Sequence, residues 1–253
     1  MTKKILITAP VHQDAKIFKE YLWGLNRLII PKGYEVQKHF YLHNANNLKK
    51  FLQPNEYEIF KDETKVEESD ITHIWKQENF NAVATMRTKA LEYARENNFD
   101  YIFSVDSDVI LQSTNLIELI NSNKDIVAKM YWTIFDSNIP YFSMPNCYDY
   151  INEKGQRVFK KGINNLKFLG LHEVGVTGAC TLIGKRIINE PLIDYFPIKI
   201  FSYSKWEDYA FCIKAHALIP DVSIYIDNMC SPKHLYRKKD YTKWVNEEKE
   251  KWN

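Results

Sequence analysis

The sequence predicts an α/β fold with a parallel sheet of the nucleotide-binding kind, and three features predict it. Residues 4–12 read as a buried strand, residues 17–28 as an amphipathic helix and residues 34–42 as a second strand. A chain that opens β-α-β lays its strands parallel. Residues 81–97 have helical spacing and lead straight into residues 101–111, an apolar run rich in β-branched and aromatic side chains. Asp106 and Asp108 interrupt that run where such a strand would end, which delivers two carboxylates to one sheet edge.

Composition bounds the class. The chain has 253 residues, 45% hydrophobic and 26% charged, enough for one globular domain with a sizeable core. Lys+Arg 34 against Asp+Glu 32 gives +2, too balanced for a broad basic face, so no nucleic acid partner is expected. Cys147, Cys180, Cys212 and Cys230 are scattered without zinc spacing and read as reduced thiols. No apolar run would span a bilayer, and the first residues lack the pattern of a signal peptide. With no N-x-[ST] sequon either, a cytoplasmic protein is expected.

In order, the first strand is expected to end at Pro10, which cannot donate to a central ladder. Ile17, Phe18, Tyr21, Leu22, Leu25 and Leu28 recur at helical spacing until Pro31-Lys32-Gly33 stops them. Tyr34, Val36, Phe40 and Leu42 alternate as a strand, with Lys38 the exception on that face. Leu48, Phe51 and Leu52 suggest a short helix, residues 57–60 a short strand, and residues 62–70 a charged surface run. Val83, Met86, Ala90, Leu91 and Ala94 mark one helical face, stopped by Asn97-Asn98. Residues 115–121 read as a helix capped by Ser113 or Thr114, and residues 126–135 as another strand. Residues 136–171 read as loops and a hairpin around Glu153-Lys154-Gly155-Gln156, where Tyr141, Phe142 and Tyr148 either stack on a sugar ring or pack the hairpin. Residues 174–184 read as one glycine-punctuated strand, bulged in the core or brought close to a ligand, with a helix over 185–189. A helix starting at Glu207 and a strand over 222–226 complete the elements.

Four places carry possible chemistry. Clustered carboxylates such as Asp106 and Asp108 repel unless a cation lies between them, and Mg²⁺ or Mn²⁺ with a phosphate is the natural occupant; the alternative is a capped, solvated turn. Arg87 follows the core-facing Met86 and is either a solvated arginine or a planar fork for a diphosphate. Glu207 and Asp208 fall at a helix N-terminus, where the dipole favours them as caps, or where one serves as general base for an acceptor hydroxyl. His234 follows the final strand and precedes Arg237, Lys238 and Lys239; it is structural, or a neutral ligand for a Mn²⁺-like ion.

The ordered set of Ala9-Pro10-Val11, Arg87, Asp106-Ser107-Asp108, the Gly175 to Gly178 segment, Trp206-Glu207-Asp208 and His234 resembles glycosyltransferases of the GT-A fold, in the family 2 and Anp1-like groups. The resemblance spans nearly the whole chain. It implies a mostly parallel mixed sheet flanked by helices in one domain over residues 1–253: a nucleotide-binding part over about 1–112, an acceptor-side part over about 113–236 and a helical tail over 237–253. It further implies that Pro10, Val11, Arg87, Asp106, Ser107 and Asp108 bind a nucleoside-diphosphate sugar, a UDP-sugar first and a GDP-sugar as the alternative. Asp106, Asp108 and His234 would hold a divalent metal, Mn²⁺ or Mg²⁺, while Glu207 or Asp208 faces a glycan or other hydroxyl acceptor. The expected activity is metal-dependent hexosyl transfer in glycan biosynthesis, inverting because Glu207-Asp208 offers a base. Membrane spans and a Q-x-x-R-W run are absent, so a single-transfer enzyme is expected rather than a processive synthase. Two other readings stand beside it: a phosphohydrolase of the haloacid dehalogenase type, whose strand also ends in D-x-D, and a non-catalytic carbohydrate- or nucleotide-binding module.

Overall fold

A computed structural model describes residues 2–62, 77–133, 143–148, 150–151, 157–158, 163–198, 206–236 and 238–252. Eight strands form one mixed sheet in the order Leu171–Glu173, Ile224–Asp227, Ile126–Lys129, Cys180–Gly184, Tyr101–Val105, Lys3–Val11, Tyr34–His43 and Tyr57–Phe60. The four strands at the Tyr57–Phe60 end run parallel, as do Ile126–Lys129 and Ile224–Asp227. Cys180–Gly184 is inserted antiparallel between Tyr101–Val105 and Ile126–Lys129, pairing Cys180 with Val105 and Thr181 with Ala128. The residues just before Cys180 therefore reach the same edge as the carboxyl ends of the parallel strands, the edge where open α/β sheets bind ligands.

Alternation along the strands separates two cores. Ile5, Ile7, Phe103, Val105 and Leu182 pack on one face with Phe18, Tyr21 and Leu25 of the helix Ala15–Asn26. Leu6, Ile102 and Ile183 pack on the other with Ala84, Leu91 and Ala94 of the helix Gln77–Glu96 and with Phe211, Cys212 and Ala215 of the helix Glu207–Leu218. Period two in the strands meets the longer period of the helices on each side. The helix Gln77–Glu96 stops where Asn98 takes φ 54°, a left-handed conformation asparagine tolerates, and Phe99 N donates to Ala94 O at 2.9 Å. Beyond the sheet, the segments Lys238–Lys243, Trp244–Glu248 and Lys249–Trp252 fold back onto the first helix. The fully buried Trp244 meets Trp23 and Trp252 edge-on and donates from Nε1 to Glu20 Oε2 at 2.9 Å. Among the described residues no helix is long and apolar enough to cross a membrane.

Several sequence expectations are corrected. The first strand continues through Pro10 to Val11, because there it pairs only with Tyr34–His43; its pairing with Tyr101–Val105 has stopped at Thr8. The first helix ends at Asn26, with Arg27 as C-cap, short of Leu28. Thr114 occupies the N-cap of the helix Asn115–Asn121 without a side-chain capping bond to the backbone; Asn115 Oδ1 accepts from Gln112 N at 2.9 Å. The strand read over 126–135 stops at Lys129, and Trp132–Thr133 pairs separately with Met144–Pro145. The strand read over 174–184 divides into Val176–Thr177 and Cys180–Gly184, because Ala179 takes φ 72° and turns the chain. Tyr150–Ile151 pairs antiparallel with Arg157–Val158, while the hairpin tip at residues 153–156, Tyr141, Phe142 and most of the 62–70 run lie outside the described residues.

Candidate active site

The carboxyl ends of the strands open into a cleft of about 630 Å³. The Asp106-Ser107-Asp108 segment is a tight turn at its floor. Asp106 N donates to Ala179 O, and Val109 N donates back to Asp106 O, both at 2.9 Å. From the opposite face of the sheet, the buried Tyr21 hydroxyl donates to Val105 O at 3.1 Å and steadies the strand end.

After the turn, Val109–Ile110 pairs antiparallel with Lys233–His234, His234 lying opposite Val109. Leu235 N donates to Asp108 O at 2.8 Å. This small ladder brings His234 Nε2 to 3.4 Å from Asp108 Oδ2, and the other ring nitrogen lies 3.1 Å from Thr133 Oγ1. Tyr131 and Tyr236 enclose the imidazole, at 4.7 and 5.1 Å between ring centroids. Asp108 and Ser107 are buried.

Across the cleft, Trp206 takes the N-cap position of the helix Glu207–Leu218 and makes no side-chain capping bond. Glu207 and Asp208 therefore sit inside the first turn. Asp208 Oδ1 accepts from Arg87 Nη1 at 2.7 Å, and Glu207 Oε1 lies 3.8 Å from Arg87 Nη2, so capping does not account for the pair. The same Nη2 is 2.7 Å from Asp106 Oδ1. Arg87 is thus not a solvated arginine: it is 5% exposed, it lines the cleft and each terminal nitrogen donates to a carboxylate.

The charge balance of the cleft is negative, with Asp106, Asp108, Glu207 and Asp208 around one guanidinium. Loss of hydration pushes Asp106 up to about 6; Arg87 opposes this, and Asp108 and Glu207 add to it. Asp208, whose side chain keeps 27% of its surface exposed, is pushed up to about 8 by the same desolvation, partly countered by Arg87 and reinforced by Glu207 and Asp106. For Arg87 itself, burial works against the charge, but Asp208, Asp106 and Glu207 together hold it well above its ordinary range.

Residues 32–148 match the model of the N-terminal domain of glycosyltransferase family 25. The match covers just under half of the chain and includes Arg87, Asp106 and Asp108, but not Glu207, Asp208 or His234. The sequence motifs resemble family 2 and Anp1-like groups; the match is to a different glycosyltransferase family. No curated protein matches in sequence. In structure, the chain is similar to 4-diphosphocytidyl-2C-methyl-D-erythritol synthase from Anaerococcus prevotii DSM 20548, at TM-score 0.50 and 9% identity over 95% of both chains. Two further solved structures are similar at 13% identity over 92% of this chain. One is A197 from STIV, TM-score 0.47 over 85% of its length, and the other is S. aureus TarS 1–349 in complex with UDP-GlcNAc, TM-score 0.45 over 60% of its length. What the first of these likenesses carries is the fold, the mixed and mostly parallel sheet flanked by helices.

Pro10, Arg87, Asp106, Ser107, Asp108, Glu207, Asp208 and His234 all line this one cleft. Val11 does not, being buried in the core against the first helix. Among the described residues no three His, Cys, Asp or Glu side chains stand in ligating arrangement: Asp108 and His234 approach each other, while Asp106 Oδ1 turns to Arg87. Sequence reasoning missed Asn146. Its amide accepts from Tyr131 N and donates to Lys129 O and Gly178 O, each at 3.0 Å, knitting three strand ends together. No local pattern marks such a residue in a loop-rich stretch. His12 and His43, at the ends of the first two strands, also line the cleft, with His12 Nδ1 2.9 Å from His43 O.

Proposed function

We propose that the protein is a metal-dependent glycosyltransferase that moves a hexosyl group from a nucleoside-diphosphate sugar to a hydroxyl of a glycan acceptor, with inversion. The observation that carries this reading is the placement of the Asp106–Asp108 turn and His234 opposite Glu207 and Asp208 across one cleft, in a chain matching a glycosyltransferase domain over residues 32–148. Asp106, Asp108 and His234 are the residues that would hold a divalent cation once Asp106 turns from Arg87, the imidazole favouring Mn²⁺ over Mg²⁺, and the excess of carboxylates favours a cation. Such an ion, when bound, neutralises charge developing on the departing diphosphate.

In this reading the residues of the chain divide the remaining work. Pro10 and Ser107 line the donor side. On the acceptor side, Asp208 takes the proton of the attacking hydroxyl as that oxygen bonds to the anomeric carbon and the carbon–diphosphate bond breaks. A carboxyl pushed up to about 8 is a stronger base than an ordinary one, despite its place in a helix first turn. A general base acts when deprotonated. With the active donor, kcat/KM is expected to rise with pH as Asp208 ionises, levelling above about 8. Asp208→Asn is expected to lower it about 100-fold or more and flatten that limb; an unchanged profile assigns the base elsewhere.

The identifying experiment measures nucleoside diphosphate release from a panel of sugar nucleotides, UDP-sugars first and then GDP-sugars, with Mn²⁺, Mg²⁺ or chelator. Release from one donor, abolished by chelator and by Asp108→Ala, is the expected result. Hydrolysis of phosphate esters without consumption of any sugar nucleotide would favour a phosphohydrolase instead. Donor binding without turnover, unaffected by Asp108→Ala, would favour a binding module.

A further inference from the structure

The helix Gln77–Glu96 carries Arg87 into a place where one guanidinium meets both sides of the cleft. Nη2 donates to Asp106 Oδ1 and Nη1 to Asp208 Oδ1, each at 2.7 Å, and Glu207 Oε1 lies 3.8 Å from Nη2. The Tyr195 ring covers the guanidinium carbon at 5.6 Å. The planar fork of arginine holds two carboxylates on separate nitrogens at a fixed separation, whereas an ammonium gathers its partners around a single atom. We propose that Arg87 is a positioning residue that ties Asp106, on the donor side, to Asp208, on the acceptor side, so that each half of the site reports on the other. This rests on the transferase reading for the names of the two sides. The tether itself needs neither donor nor metal.

A cation arriving at Asp106 competes with the guanidinium for that carboxylate. If Asp208 is absent, Arg87 is left to Asp106 and Glu207, and it opposes the cation more strongly. Coupling of this sort is reciprocal: what Asp208 does to the cation site, the cation site does to Asp208.

The test is a cycle of Asp106→Asn, Asp208→Asn and the double variant, in wild-type and Arg87→Met backgrounds, without metal or substrate. With Arg87 present, each asparagine is expected to lower the urea midpoint, and the double variant to lower it by more than the two losses together, since Arg87 then has only Glu207 left. With Arg87 removed, the sign is expected to reverse, each asparagine raising the midpoint by thinning a cluster that has no cation. The same sign in both backgrounds overturns the tether. Should Arg87→Met alone not fold, adding both asparagines is expected to restore folding, and failure to do so counts against the proposal.

A second readout, which a purely structural arginine would not move, is Mn²⁺ binding followed by electron paramagnetic resonance. Asp208→Asn is expected to weaken it about tenfold in wild type and to have a clearly smaller effect with Arg87→Met, which has no donor left to shift onto Asp106. Equal weakening in both overturns the coupling. If wild type binds no Mn²⁺, the metal part of the proposed function fails, and the urea cycle alone decides the tether.

Discussion

Gly178→Ala is expected to cost the protein its turnover while leaving it folded. A Cβ built on Gly178 falls 1.9 Å from Asp208 Oδ2, 2.4 Å from its Cγ and 3.0 Å from its Cβ. The glycine cannot retreat, because Gly178 O accepts from Cys180 N and from Asn146 Nδ2, each at 3.0 Å, at the head of a central strand. Asp208 must turn away instead, and so leave Arg87. Overpacking of this kind costs about 1–3 kcal/mol, a shift of a few degrees in Tm, whereas a displacement of about 1 Å at a reacting group costs about 100-fold in rate. Diphosphate release and thermal unfolding measured together check both halves. Full turnover in Gly178→Ala would mean that Asp208 does not work from the position seen here.

Lys129→Met is expected to have the larger effect on stability. Lys129 is fully buried at the end of a central strand, and its ammonium donates to Asp227, to Glu118 and, at 3.0 Å, to Met229 O. Methionine preserves the length of the side chain but strands Asp227, itself 1% exposed, without a cation. Removing one partner of a buried pair costs about 3–5 kcal/mol, chiefly the price of the charge left behind. Urea unfolding measures that loss, and Lys129→Met with Asp227→Asn should recover much of it. A loss below about 1 kcal/mol would show that water reaches Asp227 and that the cluster is not sealed.

The strands and helices that build the sheet were legible because each announces itself over a short window. The 101–105 run, the 81–97 periodicity and the β-α-β opening needed no knowledge of the rest of the chain. The side-chain partners were not legible in the same way. Arg87 looks like any arginine beside an apolar face; its burial comes from Asp208, which the packing of two helices brings to it. Gly178 reads as a bulge because the atom that excludes a side chain there lies thirty positions along. Lys129 falls inside the run read as one strand over 126–135, and what allows its burial is Asp227 on the neighbouring strand. The aspartate turn was visible from its interruption of an apolar run, whereas the approach of His234 depends on a two-residue ladder too short to leave a pattern.

That ladder makes the cleft depend on the far end of the chain. Asp106 and Asp108 belong to the first half of the chain and can take their turn as soon as their strand pairs. His234 is placed by the Lys233–His234 segment, and Lys233 is tied at 2.8 Å to Glu248, in the same segment whose Trp244 is sunk against the first helix. The first helix and the Trp244 segment are among the most distant parts of the sequence to touch, and contacts of long sequence separation slow folding as a whole. The cleft is thus finished from behind, by a clasp that closes on the opposite side of the sheet from the helix carrying Asp208.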